Sequence, residues 1–165
     1  MKALIVSDTH RKDDNLERVI EEQLPLDLLI HLGDAEGSED VLQYLVNEGC
    51  EVYAVRGNND FFSDLEGELE VDLGPHRLFL THGHYYNVSL GVEGLAEEAA
   101  ERDCDVAMYG HTHRPYLDQT GPVTVLNPGS LSYPRQEGRR PSYMIMEMDA
   151  EGTLSFHTYY LFDRK

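Results

Sequence analysis

Residues 2–10 read KALIVSDTH, a short apolar run that stops at Ser7 and is followed at once by Asp8 and His10. A Val-, Ile- and Leu-rich segment of this length is a strand signal. In extended backbone, residues two apart point the same way, so a carboxylate and an imidazole at this spacing can grip one ion together. Taken alone, Asp-x-His is equally well explained by a solvated loop or an Asx turn. The reading turns on whether the arrangement recurs.

It recurs four times. A second strand predicted at 27–32 (DLLIHL) leads into Gly33-Asp34, where glycine permits close backbone approach and the carboxylate stands free at the strand end; a turn or helix cap is the alternative. A third strand at 51–56 (EVYAVR) leads into Gly57-Asn58-Asn59-Asp60, which is a plain turn unless the Asn58 carbonyl serves as a neutral oxygen ligand. A strand at 77–81 leads into Thr81-His82-Gly83-His84, and one at 105–109 (DVAMY) into Gly110-His111-Thr112-His113. His-x-His after an apolar strand sets two imidazoles on one side of the chain, and metal ligation is the commonest use of that geometry; two exposed loop histidines are the alternative. Chance would scatter Asp, Asn and His along the chain. Here five groups fall at the C-terminal ends of predicted strands, the edge at which open α/β sheets bind ligands.

The intervening segments support such a sheet. Leu16, Val19, Ile20 and Leu24 recur at helical spacing until Pro25, and Ser38 is placed to cap a helix carrying Val41, Leu42, Leu45 and Val46 that Gly49 closes. Leu95, Ala96, Ala99 and Ala100 mark a third helix whose other faces are acidic. Strands alternating with helices predict parallel pairing through crossovers. Segments 68–73 and 77–81 flank Gly74-Pro75-His76 as a hairpin, so antiparallel pairing enters there. Further strands are predicted at 122–126, 142–149 and 153–161, the last two joined by a turn at Glu151-Gly152. The expectation is an α/β (α+β) chain, a single domain over 1–165, with two packed sheets and helices outside.

Bulk composition narrows the function. The chain has 31 acidic and 13 basic side chains, a net charge of -18, which repels nucleic-acid backbones and anionic membranes; neither is an expected partner. An anionic substrate needs local positive charge that overrides this field, and bound dications are one source. Scarce lysine beside abundant Asp and Glu fits a halophilic host as well as simple solubility. The first apolar run is too short for a signal peptide, and Cys50 and Cys104 stand in no metal-binding spacing, so a reducing cytoplasmic location is expected.

With these residues in hand the sequence resembles the calcineurin-like metallophosphoesterase superfamily, and within it the small YfcE-like phosphodiesterases of prokaryotes. S-D-T-H, H-L-G-D, R-G-N-N-D, T-H-G-H and G-H-T-H stand in that family's order and spacing over nearly the whole chain, and N-P-G-S at 127–130 resembles a later family loop. The resemblance implies a four-layer αββα sandwich of two mixed sheets, the metallo-dependent phosphatase fold. It implies two divalent ions, manganese first, with iron, nickel, cobalt and zinc compatible with the same ligands. Asp8, His10, Asp34 and His113 would hold one ion and Asp34, Asn58, His82 and His111 the other, with Asp34 as the bridge. The implied chemistry is hydrolysis of a small phosphate ester by hydroxide held between the two ions.

One position departs from the broad family pattern, which has Gly-Asn-His followed by an acid where this chain has Asn59 and Asp60. Asn59, the candidate catalytic residue, can donate a hydrogen bond to a phosphate oxygen but cannot deliver a proton. Diesters, or esters with good leaving groups, are therefore the expected substrates. His84 is the nearest other acid in sequence, and Asp60 is placed to orient Asn59 or a ligand. Arg56, Arg114 and Arg135 are either substrate contacts or surface charges; Tyr85, Tyr86, Tyr133, Phe61 and Phe62 would line a pocket, form a homo-oligomer contact or simply pack. Asn127 to Ser130 shape a loop. The rival expectation is a non-catalytic protein-binding scaffold like the retromer subunit that resembles these enzymes, whose metal site is degraded; in this chain every ligand position is filled.

Overall fold

The computed structural model describes residues 1–162. In chain order its strands are β1 (Lys2–Val6), β2 (Leu28–His31), β3 (Glu51–Ala54), β4 (Glu68–Leu73), β5 (His76–Thr81), β6 (Val106–Met108), β7 (Pro115–Asp118), β8 (Thr124–Pro128), β9 (Ser142–Met148) and β10 (Leu154–Tyr160). They form two five-stranded sheets, ordered β10-β9-β1-β2-β3 and β4-β5-β6-β8-β7. In the first, β1, β2 and β3 run parallel and β9 returns antiparallel to β1. In the second, β5, β6 and β8 run parallel, flanked by antiparallel β4 and β7.

The alternation along β1 explains the layering. Ala3 and Ile5 face the second sheet, where they join Leu28, Ile30, Leu78, Leu80, Val106 and Met108 in the central core. Leu4 and Val6 face the other way, against helix α1 (Asp14–Gln23), whose Leu16, Val19 and Ile20 are buried. Each of these three contributes about 1.5–3 kcal/mol by leaving water. On the far side of the second sheet, Phe79, Ala107 and Val125 pack on Leu95 and Ala99 of helix α3 (Glu93–Glu101). Helix, sheet, sheet and helix make the expected four layers.

Three local expectations need correction. The helix expected from Ser38 is a 3₁₀ turn at Ser38–Asp40 followed by one α turn, α2, at Leu42–Leu45. Gly37, not Ser38, is the N-terminal flanking residue, and the Ser38 hydroxyl donates to Asp13 Oδ2 instead of capping. Val46 is already extended because Asn47 is tied to both the amide and the carbonyl of Leu26. Leu24, expected on the buried stripe of the first helix, lies past its end and is exposed. Strand β8 starts two residues later than expected, at Thr124, and pairs with β7, which the sequence pattern does not signal. An edge strand opening on Pro115, with no fully buried side chain, carries no apolar alternation.

Candidate metal centre

The parallel strands of both sheets end at one edge, and the loops leaving β1, β2, β3, β5 and β6 carry Asp8, Asp34, Asn58, His82, and His111 with His113. The loop after β2 is laid against the loop after β1 by backbone hydrogen bonds from Asp8 N to Gly33 O and from His10 N to Asp34 O, at 3.0 and 2.8 Å. Close approach is possible because the neighbours are glycines. A Cβ on Gly33 would stand 2.6 Å from His82 Nδ1, and one on Gly110 would strike the Ser7 hydroxyl and Asp8 Oδ2.

All seven expected ligands converge. Asp8, Asp34, His82 and His113 are buried, His10 and His111 half-buried, and Asn58 exposed at the mouth. His113 Nε2 lies 3.1 Å from Asp8 Oδ1, and His10 Nε2 lies 3.7 Å from the same oxygen. His82 Nε2 lies 3.3 Å from Asp34 Oδ2 and 3.8 Å from Asp8 Oδ1. Asn58 Oδ1 and His111 Nδ1 are 3.1 Å apart beside them. Asp34 Oδ2 is also 3.8 Å from His10 Nε2, so it lies between the two halves, and Asp8 Oδ1 occupies an equally central place.

Hydrogen bonds aim the rings. His113 Nδ1 donates to Tyr133 O at 2.7 Å, His82 Nδ1 to Leu32 O at 2.7 Å, and His10 Nδ1 meets Glu36 Oε2 at 3.1 Å. Each partner is an acceptor, which places the proton of the neutral ring on Nδ1 and turns the Nε2 lone pair inward. In the neutral rings, lone pairs and carboxylate oxygens thus face one another, an arrangement that either protons or metal ions relieve. Among the described residues, the buried Asp8 Oδ1 and His82 Nε2 have no hydrogen-bond partner. Acceptors gathered around acceptors fit a cation, and the mixed imidazole and carboxylate set suits a transition dication. Asp8, His10 and His113 form one triad with ligand atoms within 4.8 Å of one another, and Asp8, Asp34 and His82 a second.

The electrostatics agree. Burial opposes ionisation of Asp8, yet His82, His10 and His113 outweigh it and hold the carboxyl far below the usual range. Asp34 is lowered to about 2: burial is overcome by His82 and the two Asn59 donors. His82 is raised to about 9, its burial overcome by Asp8 and Asp34. His111 is lowered by burial and by the neighbouring His82. The site is a nest of strong negative charge that positive charge stabilises.

Other residues act on this frame in ways the sequence left open. Asn59 donates its backbone amide to Asp34 Oδ1 and its side-chain amide to Asp34 Oδ2, at 2.8 and 2.9 Å. Asp60 orients Asp34 rather than Asn59: its Oδ2 accepts the amides of Asp34 and Gly57, and its Oδ1 that of Glu36. Asn127 holds Gly110 O and Thr112 Oγ1, and Ser130 Oγ donates to Asp8 O at 2.7 Å, so the N-P-G-S loop braces two ligand loops. Sequence reasoning missed His31, which is buried among the apolar residues of β2. It accepts from Gly33 N and contacts Thr9 Oγ1, and burial lowers its pKa. A histidine inside LLIHL was the available signal. His84 lies beside His82 and His111, ring centroids 5.5 and 6.2 Å away, and its pKa is lowered by burial and by those two rings. Arg56 is exposed, while Arg114 and Arg135 line a cavity next to His10 and His113.

Residues 1–151 match the family model of the calcineurin-like phosphoesterase superfamily domain. The chain belongs to this superfamily. Over 95% of its length it is 31% identical to the probable metallophosphoesterase YsnB of Bacillus subtilis, of which it covers 90%. It is 34% identical to the phosphodiesterase YfcE of Escherichia coli, with 95% of this chain and 93% of that protein aligned. Among solved structures, wild-type Vps29 of Entamoeba histolytica complexed with zinc superposes with a TM-score of 0.80 at 26% identity, covering all of this chain and 95% of that one. The superfamily is one of metal-dependent phosphoesterases, and the Asp and His groups gathered at the strand ends could hold metal ions.

Proposed function

We propose that the chain is a phosphodiesterase that uses two divalent ions, manganese by preference, held by Asp8, His10, Asp34, Asn58, His82, His111 and His113. The observation that carries this reading is the convergence of seven side chains from five loops, with Asp8 Oδ1 and His82 Nε2 buried and unpartnered at its centre. When bound, such ions supply a water of lowered pKa and neutralise phosphoryl charge. In hydrolysis the oxygen of water would join phosphorus as the ester P–O bond breaks, and with no acid at Asn59 the leaving group would depart as its anion and take a proton from solvent. Asn59 lies against Asp34 and retains a second amide hydrogen to donate to a phosphoryl oxygen, but it holds no proton to give a leaving group. Esters whose leaving group departs without protonation are therefore favoured. The free, buried Cys50 and Cys104 fit a reducing cytoplasm.

The test is a screen of a p-nitrophenyl diester, a p-nitrophenyl monoester and an alkyl monoester against manganese, zinc, nickel and cobalt. Fast turnover of the diester with manganese is expected. Fast turnover of the alkyl monoester would overturn the diesterase assignment. A second reading, a protein-binding scaffold, is favoured by the likeness to Vps29. Because that relative is described in complex with zinc, metal uptake does not separate the two readings; absence of hydrolysis with every metal would favour the scaffold.

A further inference from the structure

Two cavities open beside the cluster, and their walls carry opposite charge. The one on the Asn59 side, of ≈ 430 Å³, is walled by Glu36, Glu39, Asp40, Asp60 and Asp64 against one base, Arg11. The other, of ≈ 760 Å³, is bounded by His10 and His113 themselves, then by Arg114, Tyr133, Arg135 and Arg139. Its one acid, Glu36, is already engaged by His10 Nδ1 at 3.1 Å. Lys12 Nζ stands 5.6 Å from the Tyr133 ring and adds a fourth cation nearby. A volume of this order accommodates a ligand of nucleotide size.

Three arginines elsewhere in the chain are ion-paired, whereas the side chains of Lys2, Arg11, Lys12 and Arg56 meet no carboxylate among the described residues. Arg18 is paired with Glu22, Arg77 with Glu70, and Arg102 with Glu68 and Glu98, all at 2.7–2.8 Å. Among the described residues, Arg114, Arg135 and Arg139 have no acidic partner, in a protein with 31 acidic side chains. Arg114, Arg135 and Arg139 are exposed and line one cavity together, which gives it a net positive wall that an anion would complement. The wall is also fixed to the metal ligands. Arg135 N donates to His113 O at 3.0 Å, His113 Nδ1 to Tyr133 O, and Tyr133 N to the same Ser130 Oγ that holds Asp8. A tight turn closed by Arg139 N and Gln136 O sets Arg139 at the rim.

We infer that this cavity receives a second phosphate group, so that the ester hydrolysed carries another phosphate besides the scissile one. The inference rests on the phosphodiesterase reading and names its substrate class. Planar guanidinium groups meet phosphate oxygens in paired hydrogen bonds, and a phosphate held here is fixed relative to His10 and His113, hence to the reacting group.

The test compares thymidine 5′-(p-nitrophenyl phosphate) with and without a 3′-phosphate, using the manganese-loaded protein. Scissile bond and leaving group are the same in both. The 3′-phosphorylated ester is expected to show at least about tenfold higher kcat/KM, chiefly through KM, as one or two charge-assisted hydrogen bonds supply. In the double variant R135Q/R139Q the two esters should come within about twofold of each other, whereas R18Q, outside the cavity, should keep the wild-type ratio. A wild-type ratio near one, or a ratio that survives R135Q/R139Q, overturns the inference while leaving the phosphodiesterase reading intact. Failure to cleave either ester with any metal overturns the phosphodiesterase reading, and the inference falls with it.

Discussion

His10 Nε2 and His113 Nε2 face each other at 3.2 Å although neither neutral ring has a proton there to share, because Glu36 and the Tyr133 carbonyl take the Nδ1 hydrogens. Two lone pairs at this distance repel unless a cation lies between them and Asp8 Oδ1, either a metal ion or the proton that Asp8 favours on His10. Removing either ring should therefore cost metal binding before anything else. In H10A and H113A, manganese content should fall from about two ions towards one, with activity reduced by more than the roughly 10–100-fold typical of outer partners. Elemental analysis after gel filtration, read beside diesterase activity, checks this. Two retained ions in both variants would remove these histidines from the ligand set.

Asp60 accepts three backbone amides from the two loops that carry Asp34 and Asn58, at 2.7–2.8 Å, and is itself buried. Asp60→Asn keeps the shape but replaces one acceptor oxygen with an NH₂ that meets amide donors. The expected loss is about 1–3 kcal/mol of folding stability, together with roughly 10–100-fold in manganese affinity. Urea unfolding and metal titration measure the two separately. Stability lost without affinity would mean that Asp60 holds the loops but not the geometry of Asp34.

Metal should also stabilise the fold, because the backbone at the site is strained. Asp8, His10, Asp34, His111 and His113 all have left-handed φ, between 48° and 69°. Such conformations cost a non-glycine residue about 1–3 kcal/mol and persist only where surroundings impose them. A ligand that binds the folded state alone stabilises it by mass action. Chelation with EDTA should lower the melting temperature, and manganese should restore it; calorimetry with and without chelator reads the shift. An unchanged melting temperature would mean that the loops need no ion to hold their shape.

This strain also marks where the sequence stops being informative. The edge that carries the site is legible because short apolar runs end abruptly and Asp, Asn or His follows each time, as after Val6, His31 and Met108. The same residues predict simple extended geometry at Asp8-Thr9-His10, with both side chains on one face; Asp and His tolerate left-handed φ better than most residues, but that tolerance does not reveal the turns that actually aim them. Asp60 reads as one more acid until the amides of Asp34, Gly57 and Glu36 are seen to converge on it, because that convergence depends on tertiary placement. The helix expected after Ser38 fails for a similar reason. Its apolar spacing is genuine, but Asn47 is bonded to Leu26 across the chain and draws the segment out of helical geometry.

Asn59 offers a gain-of-function test. The resemblance to the broad superfamily implies a histidine at this position, and Asn59 is held against Asp34 by its own amides. Asn59→His should raise turnover of an alkyl monoester by about 100-fold or more, the usual contribution of a placed general acid, and change p-nitrophenyl diester turnover little. The ratio of the two rates is the measurement. If the ratio does not move, leaving-group protonation is not what limits the wild-type protein.

His76 lies outside the site and gives a pH signature of its own. Its Nδ1 meets Asp105 Oδ2 at 2.6 Å and its Nε2 meets the Gly152 carbonyl at 2.6 Å. Both partners accept, so the doubly protonated imidazolium is the form that satisfies both. Burial works against that charge, but the Asp105 hydrogen bond, the Gly152 carbonyl and the Asp105 charge outweigh it and raise the pKa. A raised folded-state pKa means that the contribution is fully present below the unfolded value of about 6.5 and is lost as pH rises through the folded value. His76→Gln should therefore lower stability clearly near pH 5.5 and much less near pH 9, measured by urea denaturation at both. Equal losses at the two pH values would show that His76 stabilises by packing and not by charge.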